Sequence, residues 1–226
     1  VSRPEMADLV PRLMRLYQQQ GQGNKATALA AQMLRRAPAV CLSHLDVIGD
    51  VYKAEMGDKA GDAVLNLLDA AAADNPGVAQ ALDLVRVRWL VWLGRAEQAL
   101  AFLDARPADS EVFMNERALL LFTQGRYEEA AAAYRQLASM DASNIEYVRQ
   151  WGESLFRLGR KAEAAAAWES LLAGQEARAG RAYLELAEIY RLHGMHDEAV
   201  GALRKALGQK DVQPYEAQSL ILDALL

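Results

Sequence analysis

The sequence predicts an all-α protein, an α-solenoid of about six helix-turn-helix repeats closed by a C-terminal capping helix, and three observations predict it. A short motif recurs as LGRAEQA at 93–99, QGRYEEA at 124–130, LGRKAEA at 158–164 and HGMHDEA at 193–199, so that Gly94, Gly125, Gly159 and Gly194 are each followed five residues later by Ala99, Ala130, Ala164 and Ala199. The glycines stand 31, 34 and 35 residues apart, a period that marks stacked helical hairpins. Apolar residues on either side of each glycine recur at i, i+3, i+4 and i+7, which is one face of a helix.

The motif's letters each have a physical role. Glycine tolerates the left-handed conformation that closes a helix, so Gly125 reads as a helix stop. Glu128 and Glu129 then fall in the first turn of the next helix, at the positive end of its macrodipole. Ala130 is small enough to let two helices approach closely. In the repeat at 111–144 the first helix carries Met114, Arg117, Ala118 and Leu121 on one face, with the arginine as a blemish, and the second carries Ala130, Tyr134 and Leu137. The repeat at 145–179 matches it with Val148, Trp151, Gly152 and Leu155, then Ala164, Trp168 and Leu171. The repeat at 180–210 does so with Tyr183, Leu186, Ala187 and Tyr190, then Ala199, Leu203 and Ala206. A cap at 212–226 starts with Pro214, suited to a first helical turn, and aligns Ala217, Leu220, Ile221, Ala224 and Leu225. A solenoid needs such a cap because its last hairpin otherwise exposes an apolar side.

With those residues the chain resembles the tetratricopeptide repeat family. The resemblance implies a right-handed superhelix, read as a single domain over 1–226, and extends the repeats toward the N-terminus. At 7–40, Val10, Leu13, Met14, Tyr17, Gly21, Ala26, Ala30, Met33 and Pro38 fall on the family spacing. At 42–76, Leu45, Ile48, Gly49 and Tyr52 carry the first-helix pattern, while GDKAGDA places two extra residues in the turn before Ala63. At 80–110, Val87 and Leu90 are in place, the first helix starts on Asp83, and Pro107 cuts the second short. Trp89 and Trp92 fall in this irregular repeat, with one of the two expected to be exposed.

Composition sets the outer limits. The 226 residues are 52% hydrophobic and 24% charged, a globular balance rather than a disordered one. No apolar stretch approaches the roughly 20 residues of a membrane span, so membrane insertion is not expected. The net charge of −5 argues against a general nucleic-acid binder. Residues 1–40 nevertheless hold Arg3, Arg12, Arg15, Lys25, Arg35 and Arg36 against Glu5 and Asp8, a net +4 that leaves −9 for the rest. Such polarity suits an acidic partner at the N-terminal end. The opening VSRPEMADL has neither an initiator methionine nor a signal pattern, and reads as an excerpt of a longer chain. The single Cys41 excludes an internal disulfide and leaves cytoplasm and periplasm both open.

Two clusters carry residue types that suit chemistry. Cys41 and His44 are three apart at the expected start of a first helix, whose N-terminus would lower a thiol pKa. His193 and His196 with Asp197 and Glu198 are metal-ligand types. Neither has an orienting acid, an oxyanion signature or a complete ligand set around it, and there is no GxxxxGK[ST] or HExxH sequence. The alanine tracts at 70–73, 130–133 and 164–167 suit close helix packing. The chain therefore reads as a non-enzyme without cofactor or metal, and its function lies in a surface.

By the family's spacing, the first helices line a concave wall. Its candidate partner-binding residues are Arg88 and Trp92, beside Val91, in the third repeat and Asn115, Leu119 and Phe122 in the fourth. The fifth contributes Arg149, Glu153, Phe156 and Arg157, and the sixth Arg181 and Glu188, beside Leu184 and Arg191. Aromatic anchors mixed with arginine suit a peptide or helix of a partner protein. The family's chaperone adaptors hold a C-terminal carboxylate with a Lys, Asn, Asn, Lys and Arg set; here the corresponding places include Pro11 and Arg15, so that specificity is not expected. Two other readings are an accessory region of a longer enzyme or thioredoxin-like chaperone, and a homo-oligomer assembled through the C-terminal helix.

Overall fold

A computed structural model describes residues 9–107, 109–141, 144–173, 178–213, 215 and 220. Among these the chain forms helices and no strand. It divides at Phe113 and Met114 into two compact units.

The first unit runs through helices Leu9–Gln19 and Gly23–Arg36, a short helix Pro38–Cys41, then Leu45–Met56, Ala60–Asp74, Ala79–Trp92 and Ala96–Asp104. Met14, Ala26, Ala30, Leu34, Ile48, Val51, Val64, Leu68, Leu82 and Val85 are buried together in its core. Trp89 is fully buried, and its indole N–H donates to the Gly61 carbonyl at 3.1 Å. The two extra residues of GDKAGDA are absorbed by a 3-10 turn, Gly57–Lys59, and the following helix starts at Ala60. Leu13 departs from the expected core face: Pro11 and Met14 are buried, while Leu13 is exposed.

Helix Glu111–Thr123 carries the division between the units. The second unit continues with Tyr127–Met140, Ile145–Arg157, Lys161–Glu169, a 3-10 turn Ser170–Leu172, Ala179–Leu192 and His196–Leu207. Ala130, Tyr134 and Leu137, Ala164, Trp168 and Leu171, and Ala199, Leu203 and Ala206 are all buried, the inner faces that the periodicity predicts. Gly152 lies directly beneath the Trp168 indole, whose N–H donates to the Arg149 carbonyl at 3.2 Å. Asn144 caps helix Ile145–Arg157, its side chain accepting from the Glu146 amide at 3.2 Å.

The recurring motif closes its hairpins in one way. Gly125 has φ of 74°, and the next amide, Arg126 N–H, donates to the Leu121 carbonyl at 2.9 Å. This is the left-handed glycine closure with a 6→1 bond. The Arg126 carbonyl then accepts from the Ala130 amide at 3.0 Å, the first bond of the new helix. Five residues from glycine to alanine is the length of that connection. The same pair of bonds closes the turns at Gly21, Gly94, Gly159 and Gly194.

Past the last hairpin, the Asp211 carboxylate accepts from the Gly180 and Arg181 amides, each at 3.0 Å. It thus satisfies otherwise open donors at the N-terminus of helix Ala179–Leu192. Val212 is buried beside Ala206, Tyr183, Leu184 and Leu207. Most of the predicted cap lies outside the described residues.

Candidate functional site

The first-helix residues of the second unit form a cleft of about 200 Å³, lined by Glu146, Arg149, Gln150 and Glu153 of helix Ile145–Arg157, Ile189 and Leu192 of helix Ala179–Leu192, His193 and Trp168. Leu192 is the most exposed apolar side chain of this wall, at 63%. Phe156 packs edge-on to His193 at 4.7 Å between ring centres and lies 6.1 Å from Trp168. It therefore has a folding role, joining its own hairpin to the next.

Most charges here are already paired. Glu153 accepts from Arg157 at 2.6 Å and contacts His193 Nε2. Burial pushes the Glu153 carboxyl up, but the hydrogen bonds from His193 and Arg157 outweigh it and hold it below the ordinary glutamate value. The other ring nitrogen of His193, Nδ1, lies 2.6 Å from the Ile189 carbonyl. Arg149 reaches Glu185 at 3.4 Å, while its buried Nε has no hydrogen-bond partner. Glu146 accepts from Gln150 at 2.7 Å, and no cation is paired with it among the described residues. The surface can seat an apolar side chain against Leu192 and offer a carboxylate at the margin.

Arg149 and Glu153 are thus brought together, with Arg157 and Phe156 at the edge. Arg181 is exposed at the other end of its helix, where its amide meets Asp211. Glu188 pairs with Arg191 at 2.7 Å. Asn115, Leu119 and Phe122 are half-buried on helix Glu111–Thr123, with Phe122 edge-on to Tyr127 at 5.3 Å. In the first unit Arg88 is exposed. Trp92, 39% exposed, stacks on Trp89 at 4.8 Å and covers Gly49. Gln150, Ile189 and Leu192 are not among the sequence candidates, and His193 is singled out there as a metal-ligand type and not for partner binding. Leu192, standing three residues after Ile189 and off the Tyr183–Tyr190 core face, was the available signal.

A second cavity, of about 330 Å³, opens on the second-helix side of this unit between Ala131, Ala132 and Arg135 and Ala166 and Ala167, with Trp151 and Leu155 among its lining. The alanine tracts leave Trp151 only half-buried despite its core spacing.

The two clusters with chemical residue types are placed differently from expectation. Cys41 ends the short helix Pro38–Cys41, and the next helix begins only at Leu45, so the thiol does not sit at a helix N-terminus. It is fully buried, its Sγ lies 3.6 Å from the Ala37 carbonyl, and burial pushes its pKa up to about 12. A thiol in that state is not a nucleophile. Both ring nitrogens of His193 face Ile189 and Glu153, while His196 is exposed at the start of the next helix. Among the described residues no three His, Cys, Asp or Glu side chains are grouped to hold a metal ion, and no helix is long and apolar enough to cross a membrane.

A sequence profile described as tetratricopeptide repeat matches residues 93–145 and 149–214, more than half of the chain. No curated protein matches in sequence. Among solved structures, MamA is 17% identical, with 78% of this chain and 97% of that one covered and a TM-score of 0.47. A thermophilic TPR protein of Thermus thermophilus, TTC0263, is 21% identical, with 84% and 98% covered and a TM-score of 0.43. PilW, a type IV pilus biogenesis factor, is 16% identical, with 97% and 100% covered and a TM-score of 0.45.

Proposed function

Because this chain belongs to the tetratricopeptide repeat family, we propose that it is a non-catalytic docking scaffold whose first-helix cleft in the second unit receives a peptide or helix of a partner protein. The observation that carries the proposal is the cleft itself, in which the exposed Leu192 stands beside the buried Ile189 and Trp168 and the nearby charges are mostly neutralised by one another. Charges held in internal pairs need not be stripped of a counter-charge when an apolar group docks, whereas burying an unpaired one is expensive. Leu192 has no folding partner proportionate to its size and is the anchor point. Arg149, Glu153, Phe156 and Arg157 shape the cleft from one helix. Arg181, Glu188, Asn115, Leu119 and Phe122 extend the partner-binding surface along the other first helices of this unit, and Arg88 and Trp92 supply the corresponding surface of the first unit.

The test is capture of a partner from the native source by the wild-type chain and by Leu192→Asp. Because Leu192 is exposed, the substitution is expected to leave helicity intact and to weaken capture by about tenfold or more, within the range of an interface hot spot. Undiminished capture by a folded Leu192→Asp chain would remove the cleft from the interface.

A further inference from the structure

Helix Leu9–Gln19 turns Pro11 and Met14 into the core, with Val10 and Tyr17 partly buried beside them. Its other side carries Leu9, Leu13 and Leu16 at i, i+4 and i+7, and these are 52%, 40% and 51% exposed. Three exposed leucines on one helix face form a contiguous apolar stripe of the kind that marks an interaction surface. Arg12 and Arg15 border the stripe. Among the described residues Arg12 has no ion-pair partner, and Arg15 reaches Asp46 alone, at 3.7 Å with both side chains largely exposed.

Resting on the cleft reading above, we propose that the partner helix is supplied by a second copy of this chain, whose Leu9, Leu13 and Leu16 stripe docks on the exposed Leu192 at the cleft of the first copy while Arg12 approaches Glu146. Charge selects this occupant. The cleft's other formal charges are taken up as Arg149 with Glu185 and Arg157 with Glu153, which leaves the Glu146 carboxylate as the lining charge without a cation among the described residues. The stripe brings the complementary sign, within a segment of net +4 over residues 1–40 against −9 for the remainder. An amphipathic helix laid into a groove is a recurrent mode of recognition. The two surfaces differ, so the contact is heterologous: it joins unlike patches on successive copies rather than one patch to itself.

Sedimentation velocity of the chain up to about 0.5 mM, a range that reveals weak association, reads the proposal directly. The wild-type mass is expected to rise with concentration and to fall back as salt is added, because the Arg12 and Glu146 contribution is screened. Leu13→Asp removes the stripe and Leu192→Asp removes the cleft; each variant alone is expected to remain monomeric with unchanged circular dichroism. Mixed, they offer one intact cleft and one intact stripe, and are expected to form a dimer and nothing larger. Arg12→Glu is expected to weaken association by about tenfold, with recovery when Glu146→Arg is introduced in the same chain. A wild-type chain that stays monomeric throughout, variants that assemble as the wild type does, or a mixture that stays monomeric would each overturn the proposal. If the chain is monomeric while Leu192→Asp still loses a captured partner, self-docking falls and the cleft reading survives. If assembly proceeds unaltered in Leu192→Asp and capture is also undiminished, both fall.

Discussion

Replacing Gly152 with alanine probes the closest approach in the second unit. A Cβ built on Gly152 falls inside the van der Waals envelope of the Trp168 indole. The indole has little room to retreat: it is fully buried, with His193 4.6 Å and Tyr190 6.0 Å away between ring centres, and its N–H is bonded to the Arg149 carbonyl. Overpacking a filled core costs about 1–3 kcal/mol. Pulling the indole N–H from its acceptor leaves a buried donor unsatisfied, which costs about 1–3 kcal/mol more. Alanine in mid-helix returns about 0.5–1 kcal/mol relative to glycine. The expected net loss is about 2–4 kcal/mol, measured as a lower urea midpoint by far-ultraviolet circular dichroism. Gly201 is the control, because a Cβ there meets nothing within 4 Å and Gly201→Ala is expected to stabilise by about 0.5–1 kcal/mol. Gly49 is an intermediate case: its Cβ would strike the Trp92 ring, but that ring is 39% exposed and can swing outward, so Gly49→Ala is expected within about 1 kcal/mol of wild type. A Gly152→Ala chain as stable as wild type would show that the indole is not pinned and that the close helix approach is not what this glycine provides.

Among the carboxylates of the second unit held below their ordinary values are Glu153, by the His193 and Arg157 hydrogen bonds overcoming burial, and Asp211, chiefly by the Arg181 amide. A depressed folded-state pKa contributes stability that is present above the unfolded value, near 4 for both groups, and is lost as the pH falls through the folded one. The urea midpoint is therefore expected to fall on acidification below about pH 4, and Glu153→Gln with Asp211→Asn is expected to flatten that decline. Asp211→Ala opens the N-terminus of helix Ala179–Leu192 and is expected to lower the thermal midpoint at neutral pH, whereas Asp211→Asn keeps an acceptor and should retain most of the stability; equal midpoints for Ala and Asn would dismiss the capping role. Cys41, buried with its pKa pushed up to about 12, is expected to resist a thiol reagent at neutral pH until urea unfolds the chain; rapid labelling of the native protein would contradict its burial.

Local features of the chain were legible because they are written in local chemistry. Glycine followed five residues later by alanine encodes a left-handed closure and the first bond of the next helix, both completed within a few residues. The buried rows Ala130, Tyr134 and Leu137 and Ala164, Trp168 and Leu171 follow from helical periodicity alone. The cleft was only half legible. Arg149 and Glu153 lie on the expected stripe, but Ile189, Leu192 and His193 enter from the next hairpin, and which of its residues face backward depends on how the two helices are rotated and offset. His193 resembles a solvated turn letter in the sequence, and becomes a contact between hairpins only because Glu153, 40 residues earlier, is carried beside it.

By itself the sequence determined the all-helical class, the hairpin period, the turn glycines and the inner faces of the second helices, since each depends on backbone conformation and side-chain spacing within about one period. Only the tertiary structure decided which surfaces remain available. It buried Trp89 against the Gly61 carbonyl and left Trp92 partly outside, gave Phe156 a packing role, and exposed Leu9, Leu13 and Leu16 together. The physical reason is that exposure belongs to the neighbours that a side chain meets after folding, and spacing along one helix contains no record of them.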